Sequence, residues 1–357
     1  LRHYEAHTPS FRYVSATSLH SFSAPSHKIL LKSSIMAESK QWAFRGELGA
    51  YFGLKFTMLL TKYMGRYVSS AIVYVVIAYY FLSSPAARKT SRQYLERISR
   101  VPEGKKALGG VITSGTIYRH LVSFGHSVLD KFASWQGDIS LDVFHQENRD
   151  LFDCRIKDGK GGVWLISHLG NMEVCQAVFH ECREVPVTAL VHTKHAETFN
   201  RLIRDTNPDN KIELLQVSEF DIKMALQLQK KISQGEFIFV AGDRTPVSGK
   251  GRVVEVPFLG GGAPFPYGPF MIASLLHCPV GAIFCLKSNE GFDLKFHDLP
   301  GLQGLNRRTR EKAIEGVVVR FASLLEGYCL QYPLQWFNFY DFWDDNELTE
   351  EEGIGDV

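Results

Sequence analysis

Several common indicators of function are missing from this sequence. The six cysteines form no CxxC pair and the thirteen histidines include no HExxH spacing, so neither a zinc ribbon nor a metalloprotease helix is indicated. There is no GxxxxGK[ST] loop and no GxGxxG after a strand, which argues against the common nucleotide-binding folds. The net charge is only +2, which gives no indication of nucleic-acid binding. The sequence therefore predicts neither a metal site nor a nucleic-acid partner.

The composition is typical of a globular protein with a large core. Hydrophobic residues make up 45% of the 357 residues and charged residues 22%, enough for one large α/β domain with additions or for two small domains. The cysteines lie mostly in apolar stretches. We interpret them as reduced, buried side chains in a cytoplasmic environment.

The two ends of the chain differ from its middle. Residues 1–35 are rich in serine and histidine, contain Glu5 as their single acidic residue and precede Met36. We expect them to be either an extension that is not native to the protein or a targeting peptide. Residues 344–357 are acidic and are predicted to form a solvated tail. Neither segment enters the fold prediction.

An uncharged stretch lies between basic flanks. Residues 67–87 contain no charged side chain, Arg66 precedes them and Arg88 follows. Because about 20 helical residues span a hydrocarbon core, this stretch is predicted to cross the membrane or to lie on it; a buried core helix is the other interpretation. We therefore expect a membrane-associated helical segment over 36–99, with the main domain, residues 100–343, on the cytoplasmic side.

Short apolar runs alternate with amphipathic stretches from about residue 100 onward. The runs with strand-like length and composition are GGVWLIS, VPVTALV, KIELLQV, EFIFVAG, RVVEVPF and CPVGAIFCL. The stretches with helical spacing are TIYRHLVSFGHSVLDKF, NMEVCQAVFHECR, HAETFNRLIRD, EFDIKMALQLQKKISQ and YGPFMIASLLHC. This alternation predicts an α/β domain with a mixed, mostly parallel sheet flanked by helices. Functional sites in such sheets usually lie at the carboxyl ends of strands.

The strand-like run GVWLI ends abruptly at Ser167-His168. Asn171 suits the N-cap of a following helix, whose first turn would hold Glu173 near the imidazole. A carboxylate beside an imidazole fixes its tautomer and stabilises the imidazolium, which makes the histidine a better general base. No GxSxG elbow surrounds Ser167, so the nucleophile would come from the substrate. The other interpretation is a structural histidine, with Glu173 favourably placed in the helix dipole.

Two further stretches are unusual. A strand-like run ends at Gly242-Asp243-Arg244, where the guanidinium can bind an anionic oxygen and the carboxylate can orient it; a polar turn is the alternative. The stretch YPLQWFNFYDFWDD holds six aromatic residues between Trp336 and Trp343. We expect this stretch to be a C-terminal strand that seals the core, and an apolar wall for a lipid chain is the alternative.

These stretches together resemble a known family. HLGNMEV is similar to the H-x4-D/E motif of the lysophospholipid acyltransferase superfamily, in the H-L/F-G-N-W-E form of its lipid A biosynthesis acyltransferase branch. GDRTP with VPFLGGGAPFPYGPFMIA, the early YYFLSSPAARKTSRQYLERI and the closing YPLQWFNFYDFW resemble further blocks of that branch, in the same order. The residues of these blocks are more similar to those of a group of predicted bacterial acyltransferases in this superfamily than to those of the lipid A enzymes themselves. The likeness covers roughly Met36 to Trp343.

The resemblance implies an activity and a location. An acyl group would pass from a thioester of acyl carrier protein or coenzyme A to a hydroxyl of a lipid or glycolipid, with no cofactor and no metal. The enzyme would act on the cytoplasmic side of the inner membrane. The implied fold is a mixed sheet flanked by helices, with an apolar groove for the acyl chain. N-acylation of an amine-bearing lipid and a non-catalytic lipid-binding role stay open as alternatives.

The resemblance also assigns roles to residues. His168 is implied as the general base and Glu173 as its partner. The residues implied in substrate binding are Gly170, Asn171, Asp243 and Arg244. Of these, Gly170 and Asn171 would shape the turn or donate backbone hydrogen bonds to the oxyanion. Met172 stands where tryptophan is common, and GDR replaces the EGTR of glycerol-phosphate acyltransferases, which argues against a phosphoglycerol acceptor.

Overall fold

The computed structural model describes residues 65, 67–175, 178, 186–191, 212–217, 220–245 and 251–343. The predicted N-terminal extension 1–35 and the acidic tail 344–357 lie outside these residues. So do the predicted helix HAETFNRLIRD and most of NMEVCQAVFHECR, of which Met172–Cys175 forms a 3-10 turn. The domain boundaries drawn from the sequence stay predictions.

The described fold contains nine strands, which are, in chain order, β1 (Phe144–Glu147), β2 (Gly162–Ile166), β3 (Val187–Val191), β4 (Ile212–Gln216), β5 (Phe237–Ala241), β6 (Val253–Phe258), β7 (Gly261–Pro266), β8 (Val280–Lys287) and β9 (Phe292–Asp298). Seven of them form a sheet at its centre, with strand order β1-β9-β8-β2-β5-β3-β4. Parallel pairs join β8, β2, β5, β3 and β4, whereas β9 runs antiparallel to β8 and pairs in parallel with β1. The predicted mixed, mostly parallel sheet is confirmed.

Burial on both faces explains the apolar runs of the central strands. In β2 the first four residues are buried, and in β8 the first seven are. Parallel strands that are covered on both faces read as continuous hydrophobic runs. The predicted strand RVVEVPF does not join this sheet, because β6 pairs with β7 as a separate antiparallel hairpin.

Helices flank the sheet, as predicted. Their bounds are α1 (Tyr67–Ser83), α2 (Pro85–Arg100), α3 (Pro102–Leu108), α4 (Ser114–Gln136), α5 (Arg149–Lys157), α6 (Ile222–Ser233), α7 (Gly268–Leu275) and α8 (Arg307–Gln331). The helix α4, predicted from TIYRHLVSFGHSVLDKF, begins at a capping box between Thr113 and Thr116 and ends at Gly137, which adopts a left-handed conformation.

The uncharged stretch 67–87 is divided between α1 and the start of α2. Ser84 caps α2 and Pro85 occupies its first turn, so the chain bends by 97° between the two helices. Within the described residues, no single helix has both the length and the apolarity to cross a bilayer, although this bent pair passes on length and composition when taken together. A membrane-associated segment over 36–99 therefore stays a prediction, and residues 36–64 of it lie outside the described residues.

The C-terminal aromatic stretch seals the larger core. Trp336, Phe342 and Trp343 are buried there and pack their rings on Phe258 of β6. The stretch is irregular rather than a strand, but it forms an isolated antiparallel bridge between Trp336 and Leu169. The predicted sealing role is confirmed, and the bridge carries this segment next to the turn that follows β2.

Candidate active site

Two polar side chains meet where β2 and β5 end. These strands are parallel neighbours with Ile166 opposite Ala241, and the Gly242 N–H donates to the Ile166 carbonyl at 2.9 Å. Two residues beyond this pair, His168 follows β2 and Asp243 follows β5. The carboxyl ends of parallel strands are the usual place for a site. Strand order and register thus bring together two residues that are 75 positions apart in the chain.

The Asp243 carboxylate holds both the ring and the backbone of His168. Its Oδ1 lies 2.8 Å from His168 Nδ1, and its Oδ2 accepts the His168 backbone N–H at 2.7 Å. Because a carboxylate accepts, Nδ1 carries the proton and Nε2 keeps its lone pair. Asp243 is fully buried, whereas the His168 side chain is 32% exposed. The imidazole is therefore oriented by a buried carboxylate, and part of the side chain is accessible to solvent.

Asp243 stays ionised despite its burial. Burial by itself raises the pKa of this carboxyl, but His168 and the Trp336 indole, whose Nε1–H donates to Oδ2 at 3.0 Å, outweigh that effect and leave the pKa below its ordinary value. An ionised carboxylate beside the ring would stabilise an imidazolium formed by protonation of Nε2.

The predicted contact between Glu173 and His168 is corrected by the structure. The Glu173 carboxylate pairs with Lys131 of α4, and Asp243 occupies the position at Nδ1 that sequence analysis assigned to Glu173. The reason is local: the 3-10 turn Met172–Cys175 packs on α4, where the Ser134 hydroxyl donates to the Glu173 carbonyl at 3.1 Å. Glu173 nevertheless has a weak electrostatic interaction with His168. Burial raises its pKa, but Lys131 and, more weakly, His168 bring it below the ordinary value.

The turn after His168 depends on Gly170 and Asn171. Gly170 has φ +75°, its N–H donates to the Gln335 carbonyl at 2.9 Å, and the Asn171 N–H donates to the Cys285 carbonyl at 2.8 Å. The Asn171 amide also donates to the Ser127 carbonyl of α4 at 2.6 Å. The predicted turn-shaping role agrees with this geometry. The alternative role as oxyanion donors is not supported, because both backbone N–H groups are used within the protein.

Gly170→Ala is expected to lower the free energy of unfolding by about 2–4 kcal/mol, because a Cβ requires both a left-handed backbone and a shift of neighbouring atoms. An added Cβ would lie 1.9 Å from the Cys285 carbonyl oxygen. Urea unfolding measures the change. Gly316→Ala in α8 is the matched control: its Cβ meets nothing within 4 Å, so stability should hold or rise. Equal midpoints for Gly170→Ala and the unchanged protein would contradict the prediction.

Arg244 lies at the exposed rim of this site. Its Nη2 donates to the Phe337 carbonyl at 3.3 Å, and its guanidinium lies 5.6 Å from the Tyr340 ring centre. The Phe337 N–H in turn donates to the His168 carbonyl at 2.9 Å. The guanidinium thus stands beside the segment that pairs with His168 and faces solvent, where it can meet an anionic group of a substrate.

Sequence reasoning did not identify two contributors to the site. Lys131 was part of a predicted amphipathic helix, and nothing in its spacing distinguished it. Trp336 was assigned to the core, where it does lie, but its indole also bonds to Asp243. The available signal was chemical: a buried tryptophan usually needs a partner for its N–H.

A second histidine lies buried behind the site. His120 of α4 contacts the Ser91 hydroxyl through Nδ1 at 2.8 Å and the Trp336 carbonyl through Nε2 at 3.0 Å. Burial lowers the pKa of His120 to about 4, although the hydrogen bond to Trp336 opposes this change. His120 is therefore neutral at physiological pH.

Because His120 is buried and neutral in the folded protein, we expect the stability of the fold to decrease at acid pH. Between pH 6.5 and about 4 the unfolded chain binds a proton at His120 and the folded protein does not, so the free energy of unfolding falls as the pH falls. The full loss from this group is about 3 kcal/mol. Urea unfolding across this range should show a shallower pH dependence for His120→Gln, whereas His145→Gln, at an exposed position, should parallel the unchanged protein. Equal slopes in all three would contradict the expectation.

The part of the chain that the structure describes contains no cluster of metal-ligating side chains. No group of three or more His, Cys, Asp and Glu side chains there could hold a metal ion. Cavities of about 490 and 500 Å³ lie against α1 and α4, but neither is lined by His168. The hydrogen bonds between His168 and Asp243 define the candidate site.

Comparison with known proteins relates this site to one family. The family model for bacterial lipid A biosynthesis acyltransferases matches residues 126–344, which is more than half of the chain. The matched range includes His168, Glu173 and Asp243. No curated protein sequence matches the chain.

Proposed function

The chain belongs to the bacterial lipid A biosynthesis acyltransferase family, and on that premise we propose that it moves a fatty-acyl group from a thioester to a hydroxyl of a lipid or glycolipid. Membership indicates acyl transfer to a lipid acceptor. The thioester of acyl carrier protein or of coenzyme A is the proposed donor. The observation that carries the proposal is the hydrogen bond from His168 Nδ1 to the buried Asp243 carboxylate.

In the proposed reaction His168 is the general base. Nε2 takes the proton of the acceptor hydroxyl as its oxygen attacks the thioester carbonyl, and Asp243 stabilises the imidazolium. The tetrahedral intermediate then collapses, the carbon–sulfur bond breaks, and the proton passes from Nε2 to the leaving sulfur. The acceptor supplies the nucleophile, so the chain needs no serine or cysteine nucleophile of its own.

Glu173 and Arg244 are proposed to support this chemistry through their charges. Glu173 adds negative potential near the imidazolium, which fits the influence of His168 on the pKa of Glu173. Arg244 is proposed to bind the oxyanion or an anionic group of the acceptor, because its guanidinium is exposed beside the segment that pairs with His168. The backbone N–H groups of Gly170 and Asn171 are occupied, so we do not assign the oxyanion to them.

The proposed location is the cytoplasmic side of the inner membrane. On α1 the side chains of Val75, Tyr79 and Leu82 are 71%, 73% and 74% exposed, and the helix carries no charge. Arg88 and Arg92 follow on α2. A helix with an exposed apolar face next to basic side chains is typical of interfacial binding.

The test is to incubate the purified full chain with acyl carrier protein and coenzyme A thioesters and a bacterial lipid extract. Mass spectrometry should find a lipid that has gained one acyl group and loses it on hydroxylamine treatment, as an ester does. A product that resists hydroxylamine would indicate N-acylation instead. Absence of any acylated lipid with both donors, from protein that is folded, would contradict the proposal and favour a non-catalytic lipid-binding role.

A further inference from the structure

The closing segment Gln335–Phe337 pairs with the turn that carries His168. The Gln335 carbonyl accepts from the Gly170 N–H, and the Phe337 N–H donates to the His168 carbonyl, both at 2.9 Å. Between these bonds, Trp336 lies opposite Leu169 in an antiparallel bridge. Sealing the core requires only apolar contact. Backbone hydrogen bonds on both sides of the Trp336–Leu169 bridge hold this segment to the turn after β2, which is a more specific arrangement.

The Trp336 side chain reaches the catalytic pair itself. Its indole is 1% exposed, and Nε1–H donates to Asp243 Oδ2 at 3.0 Å. The same oxygen accepts the His168 backbone N–H, so Oδ2 is held by two donors and Oδ1 is left to Nδ1 of the ring. The indole N–H therefore helps to fix which carboxylate oxygen faces the imidazole, and it withdraws negative charge from that carboxylate.

Trp336 is held in turn from α2 and α4. A carbonyl oxygen can only accept, so His120 Nε2 carries the proton and donates to the Trp336 carbonyl; Nδ1 then accepts from the Ser91 hydroxyl. The rings of Tyr94 and Phe258 pack on the indole with centroid distances of 5.1 and 5.4 Å. A continuous chain of hydrogen bonds and backbone thus runs from Ser91 to His168.

We infer that Trp336 is a positioning residue for acyl transfer, which acts on His168 through Asp243 and is itself held by the Ser91–His120 pair. The inference rests on the proposed function. Without the indole N–H, the Asp243 carboxylate can rotate away from its productive orientation. It also carries more charge toward the ring, so the imidazole holds its proton more strongly.

Trp336→Phe tests the inference, because it removes the N–H and keeps an aromatic ring. We expect kcat to fall about 10- to 100-fold, as for a lost hydrogen bond to a charged group. KM should change less than about twofold, because Trp336 is buried and only 1% exposed. The acid limb of the pH–kcat profile should move to higher pH. A purely structural role would not move that limb.

Trp343→Phe is the matched control in the same core. Trp343 is also buried, but within the described residues its indole nitrogen has no hydrogen-bond partner. This variant should keep the kcat and pH profile of the unchanged protein. Equal losses in the two variants, or an unchanged profile in folded Trp336→Phe, would overturn the inference.

A second pair of variants covers the case in which Trp336→Phe does not fold. His120→Leu removes the donor to the Trp336 carbonyl, whereas His120→Gln keeps an amide donor at a similar distance from the backbone. We expect His120→Leu to show a smaller loss of kcat in the same direction and His120→Gln to recover most of it. Equal activity of both with the unchanged protein would refute the part assigned to His120. If the unchanged protein acylated no lipid, the proposed function would fail, and if His168→Ala stayed active, the role of His168 as general base would fail. If the unchanged protein is active and His168→Ala is not, but Trp336→Phe and His120→Leu keep full activity, this inference alone fails.

Discussion

His168→Ala is expected to lower kcat for acyl transfer by about 10² to 10⁴, the usual contribution of a positioned general base. Thiol release from the acyl thioester, followed with a thiol-reactive dye, measures the rate, and mass spectrometry of the lipid confirms the product. The fold should be retained, because the imidazole is 32% exposed and the backbone N–H of residue 168 still donates to Asp243. Circular dichroism and the unfolding midpoint check that condition.

His168→Asn is the control for the buried carboxylate. Its side-chain amide can donate to Asp243 near the position of Nδ1, so the charge at Asp243 keeps its partners while the base is lost. We expect this variant to be as inactive as His168→Ala and more stable. Near-normal thiol release from either variant would show that His168 is not the base.

Asp243→Asn is expected to lower kcat by about 10³ to 10⁴, because it favours the wrong tautomer of His168. The carboxylate accepts from three donors: His168 Nδ1, the His168 backbone N–H and the Trp336 indole. If the asparagine oxygen serves the last two donors, its NH₂ group faces Nδ1. The ring must then carry its proton on Nε2, where it cannot accept one from the acceptor hydroxyl. Thiol release and product mass measure this loss.

Glu173→Gln distinguishes the contribution of the Glu173 carboxylate from that of Asp243. It removes a charge that makes no hydrogen bond to the ring, because Glu173 pairs with Lys131. We expect a loss of only about tenfold, the size of a charge interaction of roughly 1.4 kcal/mol. The structure therefore ranks Asp243→Asn as much the more damaging change. The reverse order would restore the assignment that sequence analysis made for Glu173.

The central strands of the seven-stranded sheet were predictable from local pattern, and two other strands of that sheet, β1 and β9, were not. Strands β2, β5 and β8 are buried on both faces, so they appear as unbroken apolar runs that length and composition identify. Strand β9 alternates, with Phe292, Leu294 and Phe296 buried and polar side chains between them. β1 has only four residues. Criteria based on apolar runs miss both, because a half-buried or very short strand has no such run.

The candidate site was likewise only partly predictable from the sequence. His168 and Asp243 each follow an apolar run, and a resemblance to a family pointed to both. Their pairing was not visible, because a spacing of five residues favoured Glu173, whereas Asp243 stands 75 residues away. Local spacing reports what a helix or turn brings together. It carries no information about which strands become neighbours.

By itself the sequence predicted the α/β class, most of the central strands, the histidine that follows β2 as a candidate general base, and the glycine turn after it. These features depend on burial pattern and backbone geometry within a few residues. Only the tertiary structure decided that β5 lies beside β2 with Ala241 opposite Ile166, and that Trp336 closes over the same edge. Both are contacts between distant parts of the chain. These contacts are set by the packing of the whole sheet, and they make Asp243 the hydrogen-bond partner of His168.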